Sequence, residues 1–159
     1  RTADAFIKLG QRERALTMLT YFSEVSSRPA AWNHLAEVVH ARERAPSYIG
    51  DMPHTWVGAG YINAVRSMFA YERGRELVLA AGVPEAWLKS GVVVSNLPTQ
   101  FGELTYTLRR EGSTIVLRKS GSAAPPDGFV LDLPPGVRGQ PVDMGGGVTN
   151  AYRGPVRFP

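Results

Sequence analysis

Apolar residues at Ala15, Leu16, Leu19 and Phe22 recur at spacings of three and four, which predicts an amphipathic helix from Gln11 to about Glu24. A shorter helical segment, Ala3 to Leu9, precedes it and stops at Gly10, a residue that readily takes the left-handed conformation at a helix end. Arg28-Pro29 breaks the pattern. Trp32 to Val39 then reads as a short helix or an extended segment, with helix favoured, and His40 to Ser47 as a polar loop. The longest periodic stretch runs from about His54 to Arg73. It sets Val57, Tyr61, Ile62, Val65, Met68 and Phe69 on a broad apolar face and Asn63, Arg66 and Arg73 opposite.

From Glu76 onward the pattern changes to short β runs punctuated by glycine and proline. Leu77-Val78-Leu79, Gly91 to Val94 and Phe129 to Leu133 are strand candidates, Pro84 to Leu88 is a single helical turn, and edge strands are expected near Val148 and Val156. The clearest local feature is a hairpin. Leu104, Tyr106 and Leu108 alternate with Thr105, Thr107 and Arg109, and Glu111-Gly112-Ser113 turns the chain into Ile115 to Arg118. Helices come first and strands afterwards, so the expected class is α+β: a helical segment over 1–75 and an antiparallel β-sandwich over 76–159.

Composition narrows the function more than the fold. The 159 residues are 43% hydrophobic and 20% charged, enough to bury a core. The net charge of +4 comes from arginines scattered among acids, whereas phosphate binding gathers basic residues on one face, so a nucleic-acid partner is not expected. There is no cysteine, and His34, His40 and His54 form no metal-ligand spacing, so neither metal nor cofactor is expected. No apolar run is long enough to suggest a membrane span, and the start at Arg1 reads as a cut. No Gly-x-Ser-x-Gly elbow is present, and Gly145-Gly146-Gly147 lacks the lysine of a phosphate loop.

Gly50-Asp51-Met52-Pro53-His54-Thr55-Trp56-Val57-Gly58 crowds a carboxylate, an imidazole, a hydroxyl and an indole onto the start of the long helix, where Pro53 fits a first turn. The segment order continues through Phe69-Ala70-Tyr71-Glu72, then Val83-Pro84-Glu85-Ala86-Trp87-Leu88, then Pro98-Thr99-Gln100-Phe101-Gly102 and the hairpin. Over roughly residues 1 to 135 this order resembles the C-terminal end of a six-hairpin glycosidase, the (α/α)6-barrel group of glycoside hydrolases, in which the last barrel hairpin is followed by a β-sandwich. Three helices cannot close a barrel of twelve. The resemblance therefore implies that the remainder of the barrel comes from upstream polypeptide or a companion chain, and that the ligand is an oligosaccharide or glycoside.

Glycoside hydrolysis uses two carboxyl groups about 5–10 Å apart. Asp51 is the first candidate, as base or sugar clamp, with helix capping as its other reading. Glu37 is the second, because a carboxylate set between Trp32 and Leu35, Val38 and Val39 could be partly desolvated, with an ordinary solvated acid as its other and favoured reading. His54 and Thr55 are candidates for sugar hydroxyls, and Trp56 and Trp32 for stacking on a pyranose ring. A non-catalytic carbohydrate-binding or assembly module is the alternative, with Tyr106, Phe129 or Tyr152 as exposed aromatics on the β half.

Overall fold

Gly10, at φ 73°, separates helix α1 (Thr2–Lys8) from helix α2 (Arg12–Ser23), close to the expected positions. The structure is a computed structural model that describes residues 1–23, 37–40, 47–49, 54–145, 148–149 and 155–159. The chain is α+β and divides into two units, Arg1–Ser67 and Met68–Pro159.

In the first unit Ile7 of α1 and Ala15 and Leu19 of α2 are buried, which is the face that the helical spacing marked out. Strands β1 (Val38–His40) and β2 (Ser47–Ile49) pair antiparallel, with Val39 opposite Tyr48. The helix expected to reach Val39 is therefore replaced by a strand at its end. Two consecutive valines are stiff at χ1 and fit a pleated ladder better than a helix turn. Trp32 and its neighbours to 36 lie outside the described residues. Helix α3 (Thr55–Phe69) buries Ala64, but Ile62 is 66% exposed and leaves the apolar face assigned to it.

Helix α3 ends four residues earlier than expected because Ala70–Arg73 is a strand, β3, paired antiparallel with β4 (Glu76–Leu79). The helical spacing of Met68 and Phe69 says nothing about this change. It is decided by Gly74, at φ 61°, which turns the chain in two residues and brings Tyr71 opposite Val78. A short helix, α4 (Trp87–Ser90), follows, slightly later than the turn expected at Pro84 to Leu88.

The remaining strands are β5 (Val92–Thr99), β6 (Gly102–Glu111), β7 (Thr114–Ser120), β8 (Phe129–Leu131), β9 (Val142–Asp143), β10 (Val148–Thr149) and β11 (Val156–Phe158). They complete a five-stranded sheet, ordered β10-β9-β7-β6-β5, and a four-stranded sheet, ordered β11-β8-β4-β3. The expected hairpin is β6–β7, with Glu111 opposite Thr114 and Gly112 at φ 59°. Two pairings, β4 with β8 and β7 with β9, are parallel, so the sheets are mixed rather than purely antiparallel. One hydrophobic cluster draws Leu77, Leu79 and Leu131 from the four-stranded sheet and Leu104, Tyr106 and Leu108 from the five-stranded one.

Strand β5 keeps phase with that cluster through a bulge. Val94 faces Tyr106 and Leu97 faces Leu104, so Ser95 and Asn96 together oppose Thr105. Asn96 takes φ 52°, and its N–H donates to Thr105 Oγ1 at 2.9 Å. Without the extra residue Leu97 would point to the opposite face from Val92 and Val94; with it, Leu97 packs on the cluster.

Candidate functional site

The start of α3 shows the described part of the sequence motif, from His54 onward. His54 carries the capping role: its Nδ1 accepts the Val57 N–H at 3.3 Å and its carbonyl accepts the Gly58 N–H at 3.0 Å. The bond requires an unprotonated Nδ1. Thr55 is exposed. Trp56 is 63% exposed. Asp51 and Trp32 lie outside the described residues, and Glu37 is exposed just ahead of β1.

One turn further along α3, a cavity of about 250 Å³ opens within the first unit. Phe22, Leu19 and Met18 of α2 form one wall, Trp56, Val57 and Tyr61 of α3 another, and Arg1, Thr2 and Ala3 a third. Space exists there because Gly60 and Ala64, one helical turn apart, carry little or no side chain, and both line the cavity. Phe22 meets Tyr61 edge to face, with centroids 6.4 Å apart and planes at 74°. The Arg1 guanidinium lies 4.7 Å from the centre of the Trp56 ring, within range of its π face.

No carboxylate is among the described lining residues. The wall can hold a flat, largely apolar ring and present one cation to it; among the described lining residues there is no acid to move a proton. Of the described sequence candidates, Trp56 alone is among the lining residues. Arg1, Phe22 and Tyr61 were not singled out for it. The signal was the pairing of the small residues Gly60 and Ala64 with aromatics at helical spacing, which the hydrophobic pattern alone reads as core.

The aromatics expected to be exposed on the β half are elsewhere. Tyr106 is fully buried, and its hydroxyl donates to the Phe69 carbonyl at 2.9 Å. Burial pushes that hydroxyl's pKa well above the ordinary phenol value. Phe129 is buried too, stacked on Phe158 at 5.3 Å with the Lys119 ammonium 4.5 Å from its ring centre. Alternation along a strand marks the inward face of Leu104, Tyr106 and Leu108, and this is the face that the hydroxyl of Tyr106 shares. Tyr152 lies outside the described residues. Among the described residues no cluster of His, Asp and Glu could hold a metal ion, and no helix is long and apolar enough to cross a membrane. No family model, no curated protein and no solved structure matches the chain.

Proposed function

We propose that the chain forms one wall of a carbohydrate site in a larger enzyme of the glycoside hydrolase type. In this reading the helical unit is the closing hairpin of an α/α barrel, and the Met68–Pro159 unit is the β-sandwich that follows it. The order of segments supports the reading, as does the single cluster shared by the two sheets. The observation that carries it is Trp56, largely exposed at the rim of a cavity walled by Tyr61 and Phe22. An indole face in contact with water suits the C–H face of a pyranose, because stacking there removes apolar area from solvent on both partners.

The division of labour follows from the lining. Cleaving a glycosidic bond takes an acid and a second carboxylate, and the described lining residues supply neither. The pair must come from Asp51 and from the remainder of the barrel, and the chain alone binds without turnover. Amide NMR during titration with an oligosaccharide series tests this: shifts at Trp56, Val57 and Tyr61, lost in Trp56→Ala, support the wall. Shifts confined to the β unit would instead favour a binding module, and glycoside cleavage by the purified chain would contradict the division of labour.

A further inference from the structure

We infer that the cavity takes a ring bearing a carboxylate, a uronic acid unit in preference to a neutral hexose; this rests on the carbohydrate reading above. At about 250 Å³ the cavity is small beside sites for drug-sized ligands, and it has room for a single ring. Leu19, Phe22, Val57 and Tyr61 make its wall mostly apolar, and Arg1 is the one charged side chain among its described lining residues. No Asp or Glu among the described residues pairs with that guanidinium.

The chemistry of the guanidinium decides the ligand class. Its central carbon lies 4.7 Å from the centre of the Trp56 ring, and no described Asp or Glu takes its N–H groups, so they can donate to a ligand. A carboxylate accepts two parallel N–H bonds from such a fork and carries the opposite charge; a sugar hydroxyl is neutral and accepts them singly. An apolar wall lowers the local dielectric and strengthens the charged pair further. A ring stacked beside the indole would carry its carboxylate to the Arg1 edge of the cavity. A neutral ring would leave the cation unpaired.

The experiment titrates the whole chain with methyl β-glucuronide, methyl β-glucoside and benzoate, each followed by the amide shifts of Val57, Gly60 and Tyr61. The glucuronide should bind roughly tenfold tighter than the glucoside, and the difference should shrink at about 1 M salt. Arg1→Gln keeps the backbone nitrogen and removes the guanidinium fork, so it should bring the two glycosides markedly closer, while Trp56→Ala should weaken both. Both substitutions change exposed side chains, and circular dichroism checks that each variant folds. Equal affinity for the two glycosides in the unsubstituted chain overturns the inference and leaves the carbohydrate reading standing. Absence of binding by either glycoside overturns both, and binding of benzoate alone overturns both in favour of an aromatic acid.

Discussion

Adding one methyl group at Gly82 should unfold the second unit far more readily than removing one at Ala80, two residues away. A Cβ at Gly82 would sit 2.7 Å from both Cα and Cγ of Met68. Met68 Cγ could swing aside, but its Cα is backbone, so the segment around Gly82 must retreat from the end of α3. That retreat strains two hydrogen bonds, Gly82 N–H to Met68 O at 3.0 Å and Ala80 N–H to Phe69 O at 2.9 Å. Overpacking costs about 1–3 kcal/mol and the two bonds together about 2 kcal/mol. The stiffer unfolded chain returns up to about 1 kcal/mol. The expected net loss for Gly82→Ala is therefore about 2–4 kcal/mol.

Ala80→Gly involves opposing terms of similar size. Ala80 is a buried alanine at φ 62°, and left-handed backbone costs an L-residue about 1–2 kcal/mol that glycine does not incur. Against this, glycine gains about 0.5–1 kcal/mol of unfolded-state entropy, and the lost methyl about 0.8 kcal/mol of burial. The sum lies within about 1 kcal/mol of zero. Urea denaturation of both variants, followed by tryptophan fluorescence and by far-UV circular dichroism, measures the contrast. Gly82→Ala within 0.5 kcal/mol of the unsubstituted chain would refute the close approach.

Tyr106→Phe should cost about 1 kcal/mol, since the Phe69 carbonyl keeps the Ala80 N–H when the hydroxyl is lost. The same variant should flatten the alkaline limb of the stability curve: the raised pKa of Tyr106 means that its contribution is complete below about pH 10 and falls as pH rises beyond it. At the acid end, the Arg118 hydrogen bond at 2.8 Å, followed by the Gly145 N–H, holds the Asp143 carboxyl below the usual carboxylate range. That contribution is present above about pH 4 and lost as pH falls through the depressed value, so acid titration of Asp143→Asn should show a shallower decline than the unsubstituted chain. Gly60→Ala, whose Cβ would meet only the Arg1 nitrogen at 3.9 Å, should stabilise α3 by up to about 1 kcal/mol and weaken any ring binding in the cavity.

The sequence was most legible where one period ran unbroken. The β6–β7 hairpin could be read because alternation and Gly112 agree on one register, and α2 because its apolar spacing has no competing signal. Legibility failed where pairing overrides spacing. Ala70 to Arg73 continue a helical pattern, yet strand β4, with Leu77, Val78 and Leu79 all buried and β8 on one side, has its other edge paired only if its neighbour across Gly74 becomes a strand. Strand β9 is two residues long and could not show a period at all; it exists through its parallel pairing with β7. For the candidate site, the motif around His54 supplies Trp56 and Val57 to the cavity lining, but its pattern does not mark the rest of the lining. A cavity is made by what side chains leave empty, and Gly60 and Ala64 carry no signal of that until α2 is known to face them.

The two kinds of departure share one physical origin, and the bulge at Asn96 shows it most plainly. Strict alternation from Val92 puts Leu97 on the solvent face, where an apolar residue gains nothing, and the sequence offers no glycine or proline at the break. The chain instead accepts Asn96 in left-handed backbone, which asparagine tolerates better than most residues. It recovers the cost through the hydrogen bonds between Asn96 and Thr105 and through burial of Leu97 against the shared cluster. Asn96→Gly should then be tolerated, whereas Asn96→Val should destabilise the second unit by about 2 kcal/mol, because a β-branched side chain is poorly suited to that φ and, although its backbone N–H still donates to Thr105 Oγ1, it offers no oxygen to the Thr105 hydroxyl. Equal stability of the glycine and valine variants in urea would mean that the left-handed residue is not what holds Leu97 in phase.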